Sequence, residues 1–356
     1  MEPDALESEE LWGEQALKAR LPRYTVSELM DYLVQNAQPL NGRDLFALSD
    51  LSRRDAEIVR TGWLLIPLER RRAVVQYLIE MAAEELDLHL GRILRVALRD
   101  SDAAVRRLAI QGLWEETESD LLGPLIEAMK HDEDNNVRMS AAATLGNYIL
   151  AGELDEIDAS LTMRAEQALL EVLHSDHEPV ALRAHALESL AYSGETGVRQ
   201  LIEDAYYSPD EELRVSALIA MGRSADVHWR NYVRAELQSP STAMRAAAAE
   251  ACGELEVNSA RQALLELLLD PEQPVRLATI TALGRIGGRE AQEALRTIAN
   301  EGEAVEAQAA EDALDEMAFY ADNRIALYDD DEEDEREDDD LRDGIDDGDD
   351  LGEYAR

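Results

Sequence analysis

Apolar positions along most of the chain recur with the period of a helix, and the helical stretches themselves recur. Residues 270–284 show the unit. Val275, Thr279 and Leu283 stand one before, three after and seven after Arg276, which places them on one side of a helix. The same skeleton centres on Arg106, Arg138, Arg183, Arg214 and Arg245, with Glu306 in the last copy, at spacings of 32, 45, 31, 31, 31 and 30. The preceding position holds Val105, Val137, Leu182, Leu213, Met244, Val275 and Val305. Three places on come Ala109, Ala141, Ala186, Ala217, Ala248, Thr279 and Ala309, small enough for two helices to approach closely. Seven places on come Leu113, Leu145, Leu190, Met221, Cys252, Leu283 and Ala313. Glycine follows at eight in four copies (Gly146, Gly222, Gly253 and Gly284), where it predicts a left-handed helix end. Each such helix is preceded by another apolar-periodic stretch, as at 263–269 and 121–126. A period of about 31 residues holds two helices of roughly three turns each. The pattern predicts an all-α solenoid of about eight stacked antiparallel helix pairs.

Around this array the chain divides by pattern. Residues 1–49 form an N-terminal segment with one or two helices, and 1–23 are acidic and uncapped, so they are expected to fray. Thr25 and Glu28 form a capping box opening a helix from Val26 to about Asn36, and 39–42 read as a turn. Residues 50–86 read as a degenerate first pair, with Arg71 near the key position. Ser52 caps a helix running to Trp63, and Pro67 leads into a helix from Leu68 to about Glu85 that buries Val74, Val75, Leu78 and Ile79. The regular array spans 87–328. Its one long spacing marks an acidic insertion near 151–161, expected to be an extended loop. Residues 329–356 are Asp/Glu runs with too little apolar content to fold and are expected to be disordered.

An Asp six residues before the key Arg, in Asp100/Arg106, Asp132/Arg138 and Asp270/Arg276, resembles the HEAT repeat, and Pro124 falls where the first helix of that repeat often kinks. The short period is similar to the bacterial HEAT-like form seen also in phycobilin lyases. The resemblance covers about 87–320, and 50–86 weakly. It departs at Ser208, Ser239, Asn300 and Glu306, where Asp or Arg is missing from the Asp–Arg ladder. It implies that second helices line a concave surface. The positions two, five and nine after the key residue then face outward: Gln111, Glu115, Asn147, His185, Glu188, Tyr192, Arg223, Glu250, Glu254, Arg285, Glu311 and Asp315. This stripe is mainly acidic. Such a helix face is either simply solvated or a binding surface.

Composition narrows the functional classes. The chain of 356 residues is 46% hydrophobic but only 5% aromatic, so its core is expected to be Leu, Ala, Val and Met, as in packed helices. The net charge is −43, and 17 of the 77 acidic residues lie beyond residue 328, so the body is acidic as well. Such a field repels phosphate backbones and favours basic partners. Of the bases only Lys18 and Lys130 are lysines, a habit that a GC-rich or salt-adapted proteome would also produce. One cysteine rules out an internal disulfide and a multi-cysteine metal site. No signal peptide is read at the N-terminus, and the longest apolar run, 63–68, is too short to span a bilayer. A soluble, cytoplasmic protein with no membrane partner is expected.

Candidate chemistry is sparse. The Arg series is either an anion-binding stripe or a set of guanidiniums that bond the Asp of their own or the next turn, and the recurring Asp favours the second. His174, His177 and His185 sit near one inter-helix turn, where polar residues are expected in any case; no metal site is inferred. Cys252 occupies a core position and reads as an inert thiol rather than a nucleophile. No nucleophile elbow, P-loop or dinucleotide fingerprint occurs. Trp63, Trp114 and Trp229 are either interface anchors or core, with Trp114 expected to pack under the neighbouring repeat. The acidic tail is either a regulatory arm that competes for the groove or a solubilising segment.

The reading that results is a non-enzymatic scaffold without cofactor, presenting a mainly acidic groove to a basic protein or peptide. A phycobilin-lyase-like chromophore chaperone is the alternative. It needs an aromatic-lined pocket, for which Tyr148 and Tyr192 are the main candidates. A base-excision enzyme would need a cationic groove, which the acidic body opposes.

Overall fold

The computed structural model describes residues 23–35, 39–84 and 88–327, and among these the secondary structure is entirely helical. The expectations for residues 1–22 and for the acidic run 329–356 lie outside the described residues. The chain divides into two compact units, Met1–Leu255 and Glu256–Arg356.

The first unit begins with α1 (Val26–Gln35) and the short α2 (Gly42–Leu45). Pairs of helices follow: α3 (Arg53–Gly62) with α4 (Leu68–Glu84), α5 (Gly91–Ala97) with α6 (Ala103–Gly112), α7 (Ser119–His131) with α8 (Asn135–Glu153), α9 (Ala159–Leu173) with α10 (Val180–Leu190), α11 (Thr196–Tyr206) with α12 (Glu211–Arg223), and α13 (Arg230–Glu236) with α14 (Thr242–Glu254). The second unit holds α15 (Arg261–Leu267) with α16 (Gln273–Ile286), and α17 (Arg289–Glu301) with α18 (Ala304–Leu327). Among the described residues the fold is an all-α solenoid of eight helix pairs, six in the first unit and two in the second. Within the first unit, α6, α8, α10, α12 and α14 pack in succession as one layer, and α4 packs on α6; within the second, α16 packs on α18.

Local chemistry starts these helices where the pattern places them. The Thr25 N–H donates to Glu28 Oε2 at 2.9 Å while the Glu28 N–H donates to Thr25 Oγ1 at 3.4 Å, a reciprocal capping box. Ser52, Asp102, Asp134 and Ser241 cap α3, α6, α8 and α14 through side-chain oxygens that accept backbone N–H groups. The residues one before and seven after each key position are buried from Val105 through Leu283, as are the small residues at three after from Ala109 through Thr279. Val74, Val75 and Leu78 are fully buried in α4, and Ile79 is half-buried.

Three sequence expectations change. The glycines eight places after the key residue do not end helices: Gly146, Gly222 and Gly284 lie inside α8, α12 and α16, and the only described glycines with positive φ are Gly287 and Gly288. Their role is close approach. A Cβ on Gly146 would meet Ser189 at 3.1 Å, and one on Gly222 would meet the Ala251 Cα at 3.0 Å. The left-handed residues come later, at Asp155 and Ala225 in the first unit and Glu256 and Gly287 in the second. The insertion near 151–161 is not an extended loop. Ile149 and Ala151 carry the apolar period onward, so α8 runs for 19 residues. Asp155, at φ 59°, then turns the chain, and Asp158 caps the 15-residue α9. Last, Val305 is exposed in α18, where Ala310 and Ala313 form the buried side instead.

Candidate functional site on the second-helix layer

The key arginines are committed to the stack. Arg71 reaches forward to Asp100, with Nε to Oδ2 at 2.7 Å and Nη2 to Oδ1 at 3.1 Å. Arg106 grips Asp132 with both Nε and Nη2 at 2.7 Å and donates back to the Asp100 carbonyl at 2.9 Å. Each Asp therefore serves the previous repeat's Arg, while its Oδ1 also accepts from the backbone two residues on, as Asp100 does from Asp102 and Asp132 from Asp134. Where the pattern departs, the substitutions are local. Arg138 pairs with Glu178, and Arg214 and Arg245 keep bonds to the carbonyls of the turn that precedes their own helix. In the second unit Arg276 pairs with Glu306 at 2.7 Å and donates to the carbonyls of Asp270 and Pro271. These bonds commit the guanidiniums to carboxylates and carbonyls of the stack, as does that of Arg183 Nε to the Leu173 carbonyl at 3.0 Å.

The outward positions of the second helices are mixed. Gln111, Glu115, Glu250 and Glu254 are exposed, and Asn147, His185, Tyr192 and Arg223 are half-buried. In the second unit Arg285, Glu311 and Asp315 are exposed, with Arg285 Nε 3.5 Å from Glu316. Glu188 departs from the stripe: it is only 8% exposed, because α10 and α12 pack tightly enough to enclose it. Its carboxylate accepts from Ser216 Oγ, with His185 Nδ1 3.6 Å and Arg223 Nη1 3.5 Å away. Arg223 also lies over the Tyr192 ring at 5.7 Å, so four of the stripe residues form one cluster.

Burial pushes the Glu188 carboxyl up, but bonds from His185 and Ser216 and the charge of Arg223 outweigh it and hold the pKa below the usual value. For Asp132 burial acts in the same direction and the Arg106 guanidinium overcomes it. A depressed folded-state pKa means stability that is complete above the unfolded value, about pH 4, and is lost as the pH falls through the folded value. Stability of the chain is thus expected to be level between about pH 7 and 5 and to fall below about pH 4. Glu188→Gln should cost about 1–3 kcal/mol at neutral pH and shallow the acid limb, as urea unfolding at pH 7, 5 and 3.5 would show.

Other candidates resolve by burial. Cys252 is fully buried and its thiol is pushed up to about 12, so no thiolate is available. Among the described residues no group of three or more His, Cys, Asp or Glu side chains is placed to hold a metal ion. No helix among them is long and apolar enough to cross a membrane. Trp63 and Trp229 are core residues, not surface anchors. Trp63 donates its indole N–H to Asp100 at 2.6 Å, and Trp229 stacks edge-on with Tyr232 at 5.3 Å. Trp114 reverses the expectation: it is 42% exposed. The residue lines a cleft of about 900 Å³ between the turn at 50–53, the end of α4, α5 and the turn after α6. Sequence reading missed this cleft, although tryptophan in a place where other copies carry glycine was the available signal. It also missed the aromatic cluster of Tyr206, Tyr207, His228, Trp229 and Tyr232, which joins two repeats without periodicity.

The sequence pattern of HEAT repeats matches residues 92–166 and 231–315. No curated protein sequence matches the chain. Among solved structures it is similar to the complex of CpcE and CpcF of phycocyanin lyase from Nostoc sp. PCC7120, at 19% identity and a TM-score of 0.46, over 67% of this chain and 94% of that one. It is similar to yeast importin-beta (Kap95p) at 15% identity and a TM-score of 0.46, over 83% of this chain and 47% of that one. Human deoxyhypusine hydroxylase in complex with glycerol also matches, at 15% identity and a TM-score of 0.34, over 83% and 96% of the two chains.

Proposed function

Because the chain is a HEAT-like repeat protein, we propose that it acts as a non-enzymatic binding scaffold, cytoplasmic and without cofactor, for a basic protein or peptide. The observation that carries this reading is the exposure of Glu250 and Glu254 on α14, and of Glu115 in the turn after α6, on a chain of net charge −43. In this reading the second helices line the concave side of the layer and present these side chains to the partner. Each repeat contributes a few groups on a fixed frame, so affinity accumulates along the face. Opposite charge on the partner speeds encounter and fixes register, and nucleic acid is disfavoured by the same field.

A chromophore-handling role has less support. Of its two candidate pocket tyrosines, Tyr148 is fully buried with its hydroxyl donated to the Glu118 carbonyl at 2.9 Å, and Tyr192 lies under Arg223.

The scaffold reading is tested by affinity capture from source lysate with the full chain and with a chain ending at residue 328, eluted in steps of salt. Bound partners are expected to carry basic segments and to leave as sodium chloride rises from about 50 to 500 mM. Exchanging Glu250 and Glu254 together for Arg should weaken capture about tenfold or more. Salt-insensitive partners without basic segments would overturn the reading.

A further inference from the structure

We propose that the cleft beside Trp114 seats an arginine side chain of a partner polypeptide, with the indole as its platform and Glu115 as its counter-ion. This rests on reading the chain as a protein-binding scaffold, and it adds where and by what chemistry one partner residue is held.

Trp114 stands eight places after Arg106, where four other repeats carry glycine. At Gly146, Gly222 and Gly284 the glycine lets neighbouring second helices close up. Here α6 has already ended at Gly112, and the chain turns with Leu113 buried and the next side chain outside. Among the described residues the Trp114 indole has no hydrogen bond and no ring partner, whereas the Trp63 and Trp229 rings are 2% and 0% exposed. The exposed part of the indole is apolar surface that a stacked ligand would cover.

The turn that presents the ring is fixed at both ends by α8. Asn147 Nδ2 donates to the Trp114 carbonyl, and the Tyr148 hydroxyl donates to that of Glu118. The Glu116 N–H closes the turn onto the Leu113 carbonyl at 3.0 Å. A ligand therefore meets a platform that need not be ordered on binding.

The charge of the walls selects the ligand. Five carboxylates line the cleft, from Asp50, Glu115, Glu116, Glu118 and Asp120, against three guanidiniums, from Arg53, Arg92 and Arg95. Arg92 donates to the Leu51 carbonyl, and Arg95 is bridged by Glu116, Glu118 and Asp120, so this wall already surrounds one guanidinium with carboxylates. Glu115, next to the ring in sequence, is exposed and has no ion pair or hydrogen bond among the described residues. An aromatic residue and an unpaired carboxylate lining one cleft suit a planar cation that can stack and bond in a fork, which is guanidinium rather than ammonium. An acidic or phosphorylated segment would meet an excess of like charge.

The test uses the full chain and a fluorescein-labelled nonapeptide of three Gly-Ser-Arg units, with a counterpart in which neutral citrulline replaces each Arg. Anisotropy at about 50 mM salt is expected to show binding of the Arg peptide and about tenfold weaker binding of the citrulline peptide. Trp114→Ala should weaken the Arg peptide about tenfold and Glu115→Gln about threefold, while Trp114→Phe, which keeps a ring, stays within about threefold of the parent. Equal binding by the parent, Trp114→Ala and Glu115→Gln, or equal binding of the two peptides, would overturn the cleft assignment and leave the scaffold reading standing. So would failure of the parent to bind the Arg peptide, unless the captured partners also ignore salt, in which case both readings fall. Because Glu115 is exposed, its Gln variant keeps the test decisive even if Trp114→Ala folds poorly.

Discussion

Asp100→Ala is expected to destabilise the first unit by about 3–5 kcal/mol, because it strands a buried cation. The Asp100 side chain is 0% exposed and that of its partner Arg71 is 8%. Besides two bonds from Arg71, the carboxylate accepts the Trp63 indole N–H at 2.6 Å and the Asp102 backbone N–H at 2.8 Å. Truncation leaves the guanidinium only the Ile66 carbonyl, at 2.6 Å, and leaves the indole N–H with nothing. Asp102→Ala is the internal comparison. Its partner Arg72 is 40% exposed, so that change should cost about 1 kcal/mol, mostly through the lost cap on α6. Urea midpoints at constant slope would measure both. Combining Arg71→Met with Asp100→Ala should cost clearly less than the sum of the two, since the stranded charge is then gone. A loss below about 1 kcal/mol for Asp100→Ala would mean that the two groups rehydrate, and that the first repeats are held by apolar packing alone.

That pair shows what is legible in the sequence. Arg71 stands near the key position of a degenerate copy, and Asp100 stands six residues before Arg106. Periodicity therefore names both residues. It does not say that each Asp serves the previous repeat's Arg, because a helical repeat fixes which side of its helix a residue faces and leaves open which neighbour it meets. Trp63 joins the same carboxylate from a turn outside the period and for that reason reads, in sequence, as a candidate surface anchor. The insertion misleads for a related reason. Acidic residues at 153–158 resemble a loop by composition, yet the apolar period through Ile149 and Ala151 continues the helix until Asp155 turns it. On the candidate site, helix geometry puts Glu250 and Glu254 outside, and they are exposed; Glu115 is exposed too, but in the turn after α6, where the helical period no longer applies. It also puts Glu188 outside, and there the close packing of α10 on α12 overrides it. The Trp114 cleft depends on where α6 stops. Gly112 at the end of the helix is the local signal for that, and side chains of the next repeat then hold the turn that follows.

Gly284→Val is expected to destabilise the second unit by about 3 kcal/mol, the upper part of the range for overpacking. In the middle of a helix, replacing glycine normally helps, by about 1 kcal/mol for alanine. Space decides otherwise here. A Cβ on Gly284 would lie 2.8 Å from the Ala313 Cβ, 3.1 Å from its carbonyl oxygen and 3.2 Å from its Cα. Two of those atoms belong to the backbone of α18 and the third is fixed to it, so relief requires moving a whole helix rather than turning a side chain. Even Gly284→Ala should therefore lose more than its propensity gains. Gly197 supplies the opposite case: it lies in the first turn of α11, where an added Cβ would meet nothing within 4 Å, and Gly197→Ala should stabilise by about 0.5 kcal/mol. Thermal and urea unfolding of the two alanine variants would compare one chemical change in two surroundings. Opposite signs are expected. If both changes stabilise, α16 and α18 can move apart at little cost, and the small residues recurring along the second helices are not what sets their spacing.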